Sequence, residues 1–184
     1  GDGVLSSVTA SATPESVTFT ATVPGNYILT LTTDFVAPCE AATDMVTIVV
    51  EDEPTVDAGP ATATICSDGM YPVSGSTSSN GTIVWTTSGS GSFSNATIDN
   101  PVYTASALDI SAGTITLTKT VSGSGACASS SVSDSIILTI NEEPTVEAGS
   151  AVTLCIDFGT YQLADASISG GATTGTWTVS TNPG

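Results

Sequence analysis

Apolar and hydroxyl residues alternate along much of the chain. In TITLTKTVS (114–122), threonines separate Ile115, Leu117 and Val121; in DSIILTI (134–140), Ile136, Leu138 and Ile140 share one phase. Val46, Ile48 and Val50 repeat that arrangement in TDMVTIVV (43–50). Successive side chains of a strand point to opposite faces, so a period of two predicts half-buried strands with threonine and serine on the solvated side. TIVWTTSG (82–89) puts Trp85 in mid-strand, and burying a large side chain is worth roughly 1.5–3 kcal/mol. The turn clusters SSNG, SGSGS, SNATIDNP and VPGN punctuate the runs. No stretch carries a helical period, and the expected fold class is all-β.

The alternation is itself repeated. EDEPTVDAG (51–59) is followed by NEEPTVEAG (141–149), with Pro54 and Pro144 standing 90 positions apart. Cys66, Tyr71 and Trp85 follow the first stretch, and Cys155, Tyr161 and Trp177 follow the second, at offsets of 89, 90 and 92. Upstream, TDMVTIVVEDEPTV (43–56) parallels SDSIILTINEEPTV (133–146), and Cys39 parallels Cys127. A fixed period with small drifts implies homologous units whose loops differ slightly in length. Each unit has the size of one small β-sandwich. The expected division is therefore the end of a first unit over 1–51, a complete unit over 52–141 and the start of a third over 142–184, with Trp85 and Trp177 both in cores. EDEP and NEEP are the joints, where proline stiffens the chain and carboxylates discourage edge pairing.

Charge narrows the choice of partner. The 184 residues include 18 Asp or Glu, one basic residue, Lys119, and no histidine, for a net charge of −17. Such a field repels polyanions, which argues against nucleic acid. No apolar run is long enough for a membrane-spanning helix and no signal segment opens the chain, which is expected to be an interior piece of a longer polypeptide that does not itself insert into a membrane. Four cysteines without histidine or a C-x-x-C pair argue against zinc and suit disulfides formed outside the cytoplasm. Catalysis is not expected: there is no G-x-S-x-G elbow and no phosphate-cradling loop, and the acids fall at joints and turns rather than in one cleft.

EPTVDAGPATATIC, VWTTSGSGSFSNATIDNPVYTAS and SAGTITLTKTVSGSGACASSSVSDSIILTI resemble the tandem immunoglobulin-like or PKD-like repeats of very large surface proteins in the Bacteroidota, notably the gliding-motility adhesins exported by the type 9 secretion system. The likeness covers the middle repeat and most of both flanks. SVTFTATVPGNYILTLTT (16–33) is closer to an ordinary PKD domain. The resemblance implies immunoglobulin-like sandwiches arranged as an extended rod, cell-surface display and adhesion. The implied partners are neighbouring repeats of the same chain, the secretion and anchoring machinery, and an extracellular surface or glycan. Two other architectures fit the same repeats: a structural subunit of a filament or sheath, and an accessory module of a secreted polysaccharide-degrading enzyme.

Four pieces of candidate chemistry follow. Glu51, Asp52, Glu53 and Asp57, and likewise Asn141, Glu142, Glu143 and Glu147, supply oxygen ligands of the kind a hard cation such as calcium prefers, against the alternative of solvated charge; no other cofactor is expected. Cys39, Cys66, Cys127 and Cys155 are the disulfide candidates. Cys66 with Cys127 gives one bridge per repeat, yet in an immunoglobulin-like sandwich their loops lie at opposite ends; Cys66 bonding across a joint to a residue beyond Gly184 is the alternative, and Cys39 with Cys66 or Cys127 with Cys155 is disfavoured. Lys119 falls on the inward phase of its strand, either snorkelling from the sheet edge toward acids or joined to Asn or Asp by an isopeptide crosslink. Asp134-Ser135-Ile136 is similar to the O-glycosylation signal of exported Bacteroidota proteins, which makes Ser135 a glycan candidate.

Overall fold

The computed structural model describes residues 3–6, 17–35, 37–67, 69–155, 157 and 160–180. Fifteen strands run in chain order: β1 (Gly3–Ser6), β2 (Thr18–Ala21), β3 (Gly25–Thr32), β4 (Thr43–Val50), β5 (Thr55–Asp57), β6 (Thr62–Cys66), β7 (Met70–Pro72), β8 (Thr77–Ser79), β9 (Gly81–Thr87), β10 (Ser92–Phe93), β11 (Val102–Thr104), β12 (Thr114–Gly123), β13 (Ser131–Asn141), β14 (Thr145–Glu147) and β15 (Ser167–Ser169). The fold is all-β, as the alternation predicts. Helical structure among the described residues includes a six-residue helix, α1 (Ala107–Ala112), and a 3-10 turn at Gly125–Cys127. Six residues are too few to display a helical period, and α1 depends instead on its ends: Ser106 and Asp109 form a reciprocal capping box, and Gly113 closes the helix in the left-handed conformation.

Two compact units are present. The first takes in the described residues of Gly1–Thr55, Ser78–Thr82 and Val121–Val132; the second takes in those of Val56–Thr77, Ile83–Thr120 and Ser133–Gly184. In the first, β1 pairs antiparallel with β2, and β3 with β4 from Gly25↔Val50 to Thr32↔Thr43. Phe19 and Tyr27 stack at 4.9 Å between ring centroids, but the apolar residues of the β3–β4 ribbon stay largely open, with Ile28, Leu31 and Val46 all exposed.

The second unit has a β-sandwich-like core. A four-stranded sheet in the order β6-β13-β12-β9 contributes Trp85, Ile115, Leu117, Ile136, Leu138 and Ile140, and a three-stranded sheet in the order β10-β11-β7 contributes Tyr71 and Tyr103. Phe93 lies 5.7 Å from Trp85 and 5.0 Å from Tyr103, ring centre to ring centre, tilted geometries that favour aromatic pairs. The Trp85 indole N–H donates to Ile98 O at 3.0 Å, satisfying the polar tip of a ring otherwise enclosed. β6 joins β13 in parallel, from Ile137↔Thr62 to Asn141↔Cys66.

Candidate functional site

The buried phase of β12 reads Ile115, Leu117, Lys119, Val121, so the chain's one basic residue occupies a core position. Lys119 is fully buried rather than snorkelling from an edge. Its Nζ donates to Asp99 Oδ1 at 2.6 Å, Ser76 Oγ at 2.7 Å, Thr77 O at 2.8 Å and Asp57 O at 3.3 Å. An ammonium carries three protons, and four oxygens surround it here. The Trp85 ring, its centroid 6.0 Å away, adds a cation–π face. The acceptors are themselves tied together, Ser76 Oγ donating to Asp57 O at 2.9 Å and Ser76 N to Asn100 Oδ1 at 3.1 Å. Among the described residues no buried side-chain polar atom lacks a partner. Burying a charge is costly unless it is paired and hydrogen-bonded. Both conditions are met, so the Lys119–Asp99 ion pair fastens β5, the 76–77 segment and the 95–101 turn onto β12.

A second buried charge, Asp109, has no cationic partner among the described residues. It is 1% exposed and accepts from Tyr103 Oη at 2.7 Å, from the Ser90 and Gly91 amides at 2.8 Å each, and from the Ser106 amide at 3.0 Å. Burial alone would raise its pKa; the hydrogen bonds from Ser106, Ser90 and Tyr103 outweigh that and hold the carboxyl down at about 2. Burial pushes the Tyr103 phenol up, its bond to the carboxylate adding to the effect. The SGSGS segment wraps so closely that a Cβ at Gly89 would collide with Asp109 Oδ1, and one at Gly91 would lie 2.7 Å from Oδ2. These glycines let two backbone amides reach the carboxylate. Neither Asp109 nor Asp99 stands out in the sequence, although the Ser106–Asp109 spacing of a capping box is present there.

The joint has the same construction twice. β5 pairs with β8, and β14 pairs with β15, each element displaced by the 90-residue period. Thr55 and Ser79 hydroxyls meet at 2.7 Å, and Thr145 and Ser169 at 2.5 Å. Asp57 Oδ1 accepts from the Gly59 amide at 2.8 Å, and Glu147 Oε1 from the Gly149 amide at 2.9 Å. Asn80 and Gly170 both turn through the left-handed region, at φ 58° and 70°.

Among the described residues no three His, Cys, Asp or Glu side chains gather closely enough to hold a metal. Joint carboxylate oxygens are directed to nearby amides. Glu51 Oε2 accepts from the Ala126 amide at 2.8 Å, and Asp57 and Glu147 close the turns just described. Glu53 and Glu143 take part through the main chain, Glu53 O accepting from Asn80 Nδ2 at 3.1 Å and the Glu143 amide donating to Ser67 Oγ at 3.1 Å. Asp52, Asn141 and Glu142 lie exposed beside them.

The remaining candidates separate. Cys39, Cys66, Cys127 and Cys155 are all free thiols. Cys66 is level with Asn141, the last residue of β13, whereas Cys127 precedes that strand's first residue, Ser131; an eleven-residue strand lies along the chain between those two points. Ser135 is exposed on β13, and Asp134 before it bridges the Ser135 and Ala58 amides, both at 2.8 Å. Trp85 is in the core at 3% exposed, but Trp177 is not: it is 61% exposed. Residues 172–180 form no strand, so the Trp177 ring lies along an open groove of about 410 Å³ with Val146 and Ile168 instead of being covered by a facing sheet. No helix among the described residues is long and apolar enough to cross a membrane. The sequence matches no known protein-family profile, and no curated protein matches it.

Proposed function

We infer that this chain is a segment of the repetitive stalk of a large extracellular adhesin, built from immunoglobulin-like or PKD-like units in a rod. The units are the end of one repeat over 1–51, a whole repeat over 52–141 and the start of another over 142–184. The observation that carries the proposal is the duplicated joint, in which two two-stranded pairings, two hydroxyl pairs and two carboxylate-closed glycine turns recur at a spacing of 90. A unit that repeats its joint as well as its strands lengthens by addition, the construction of a spacer that carries a binding end away from its anchor. The buried charges are consistent with this, since Lys119 and Asp109 have their hydrogen-bonding capacity directed at the fold itself. The resemblance to gliding-motility adhesins extends the proposal to type 9 secretion, display on a Bacteroidota cell and attachment to a surface or glycan.

Antibodies against residues 52–141 test the reading on intact cells of the producing organism. Labelling of unbroken cells in a zone standing off the envelope is expected. Labelling only after lysis overturns it, and a continuous coat of laterally associated material favours the sheath.

A further inference from the structure

We propose that the second unit is a mechanical clamp, loaded in shear when the chain is pulled from its ends. The proposal rests on the stalk reading and adds what the stalk must withstand. β6 lies near the start of the 52–141 stretch of this unit and β13 closes that stretch, and the two lie side by side in parallel over five residue pairs, from Ile137↔Thr62 to Asn141↔Cys66. Backbone bonds extend the ladder at both ends, Ile137 N donating to Ala61 O and Ser67 N to Asn141 O, each at 2.9 Å. Tension reaches β6 at its amino end and β13 at its carboxyl end. In a parallel pair those ends point in opposite directions, so the force runs along the strands and every bond of the ladder is strained at once. An antiparallel pair pulled from adjacent ends would instead open one bond at a time.

The segment that would receive the pull first is anchored separately. Asp57 O accepts from Lys119 Nζ and Ser76 Oγ, and the Ala58 amide donates to Asp134 Oδ2 at 2.8 Å. Asp134 is on β13 and Lys119 on β12, so the entry of the chain is tied to the same sheet that β6 joins. Ala58 and Lys119 are wholly buried, which keeps water from exchanging into these bonds. The chain's one basic residue thus lies where load would enter the unit.

Single-molecule stretching of the 1–184 chain held by its two ends tests the clamp. Rupture should release about 28 nm, from roughly 3.5 Å per residue over residues 62–141, at a force severalfold above that found when the pair is held through click-chemistry handles at Ala61 and Ser135, which lie at the same end of the two strands. Extending the register back from Ile137↔Thr62 sets Ala61 one residue from level with Ser135, so the same ladder is peeled there rather than sheared. Ala63→Pro, which removes the amide that by strand alternation faces Ile137, should bring the end-pulled force down toward the peeling value. Equal forces in the two pulling directions overturn the clamp without involving any variant that could fail to fold. Surface labelling of cells is unaffected by that result, so loss of the clamp and loss of the stalk reading remain separate findings.

Discussion

β4 and β13 carry the same alternation 90 residues apart, yet Ile136 and Leu138 have no exposed surface while Val46, matching Ile136, is 56% exposed. The two tryptophans repeat the contrast, Trp85 enclosed and Trp177 on an open groove. A two-residue period specifies which face of a strand is apolar; whether that face is buried depends on what lies across it. In the second unit Tyr71 and Tyr103 of the three-stranded sheet fill that role for β13. Among the described residues β4 pairs only with β3, and an isolated ribbon has little to bury itself against.

The sharpest way to break this comparison is to truncate the two tryptophans. Trp85→Ala should cost about 3–5 kcal/mol, the range for large aromatic deletions in a core, whereas Trp177→Ala should stay within about 0.5 kcal/mol; urea unfolding of each variant gives the numbers. Equal costs would mean that Trp177 is covered in solution. Next in size is the strand pair. Leu138→Ala should destabilise by about 3 kcal/mol, while Val46→Ala, losing mainly the strand preference of valine, should leave the transition reported by Trp85 fluorescence where it was.

Acid sharpens the comparison further, because Asp109 belongs to the covered region alone. Its carboxyl sits at about 2 when folded, below the unfolded value near 3.9. The stabilisation is therefore fully present above about pH 5 and is lost as pH falls through 2, amounting to about 3 kcal/mol. Wild type should lose that much more than Asp109→Asn over this window, as measured by urea midpoints at each pH. The smallest effect belongs to the joint: Asn80→Gly, which copies the residue at Gly170, should change stability by less than about 0.5 kcal/mol.

Much of the strand layout was legible because alternation and turn clusters are local signals. TITLTKTVS and DSIILTI became β12 and β13, and the EPTV stretches became β5 and β14, each one strand of a two-stranded joint sheet. The sites were less so. Lys119 was visible as an inward-facing lysine, but its partners Asp57, Ser76, Thr77 and Asp99 come from distant segments and are brought together only by the sheet order. Asp109 resembled any turn acid until the SGSGS loop folded over it. The joint carboxylates are close in sequence, but their individual partners were not readable there: alternation and turns direct Glu51, Asp57 and Glu147 to different amides. Trp177 followed the period faithfully and still lacked a cover.

The enclosure of Lys119 also affects proteolysis. Trypsin cleaves after lysine or arginine, and this polypeptide offers it a single bond, the one following Lys119. With that side chain fully inside the second unit, the enzyme's specificity pocket has nothing to grip until the unit opens, and one cut then divides the chain in two. Against such a protease the native fold is itself the protection.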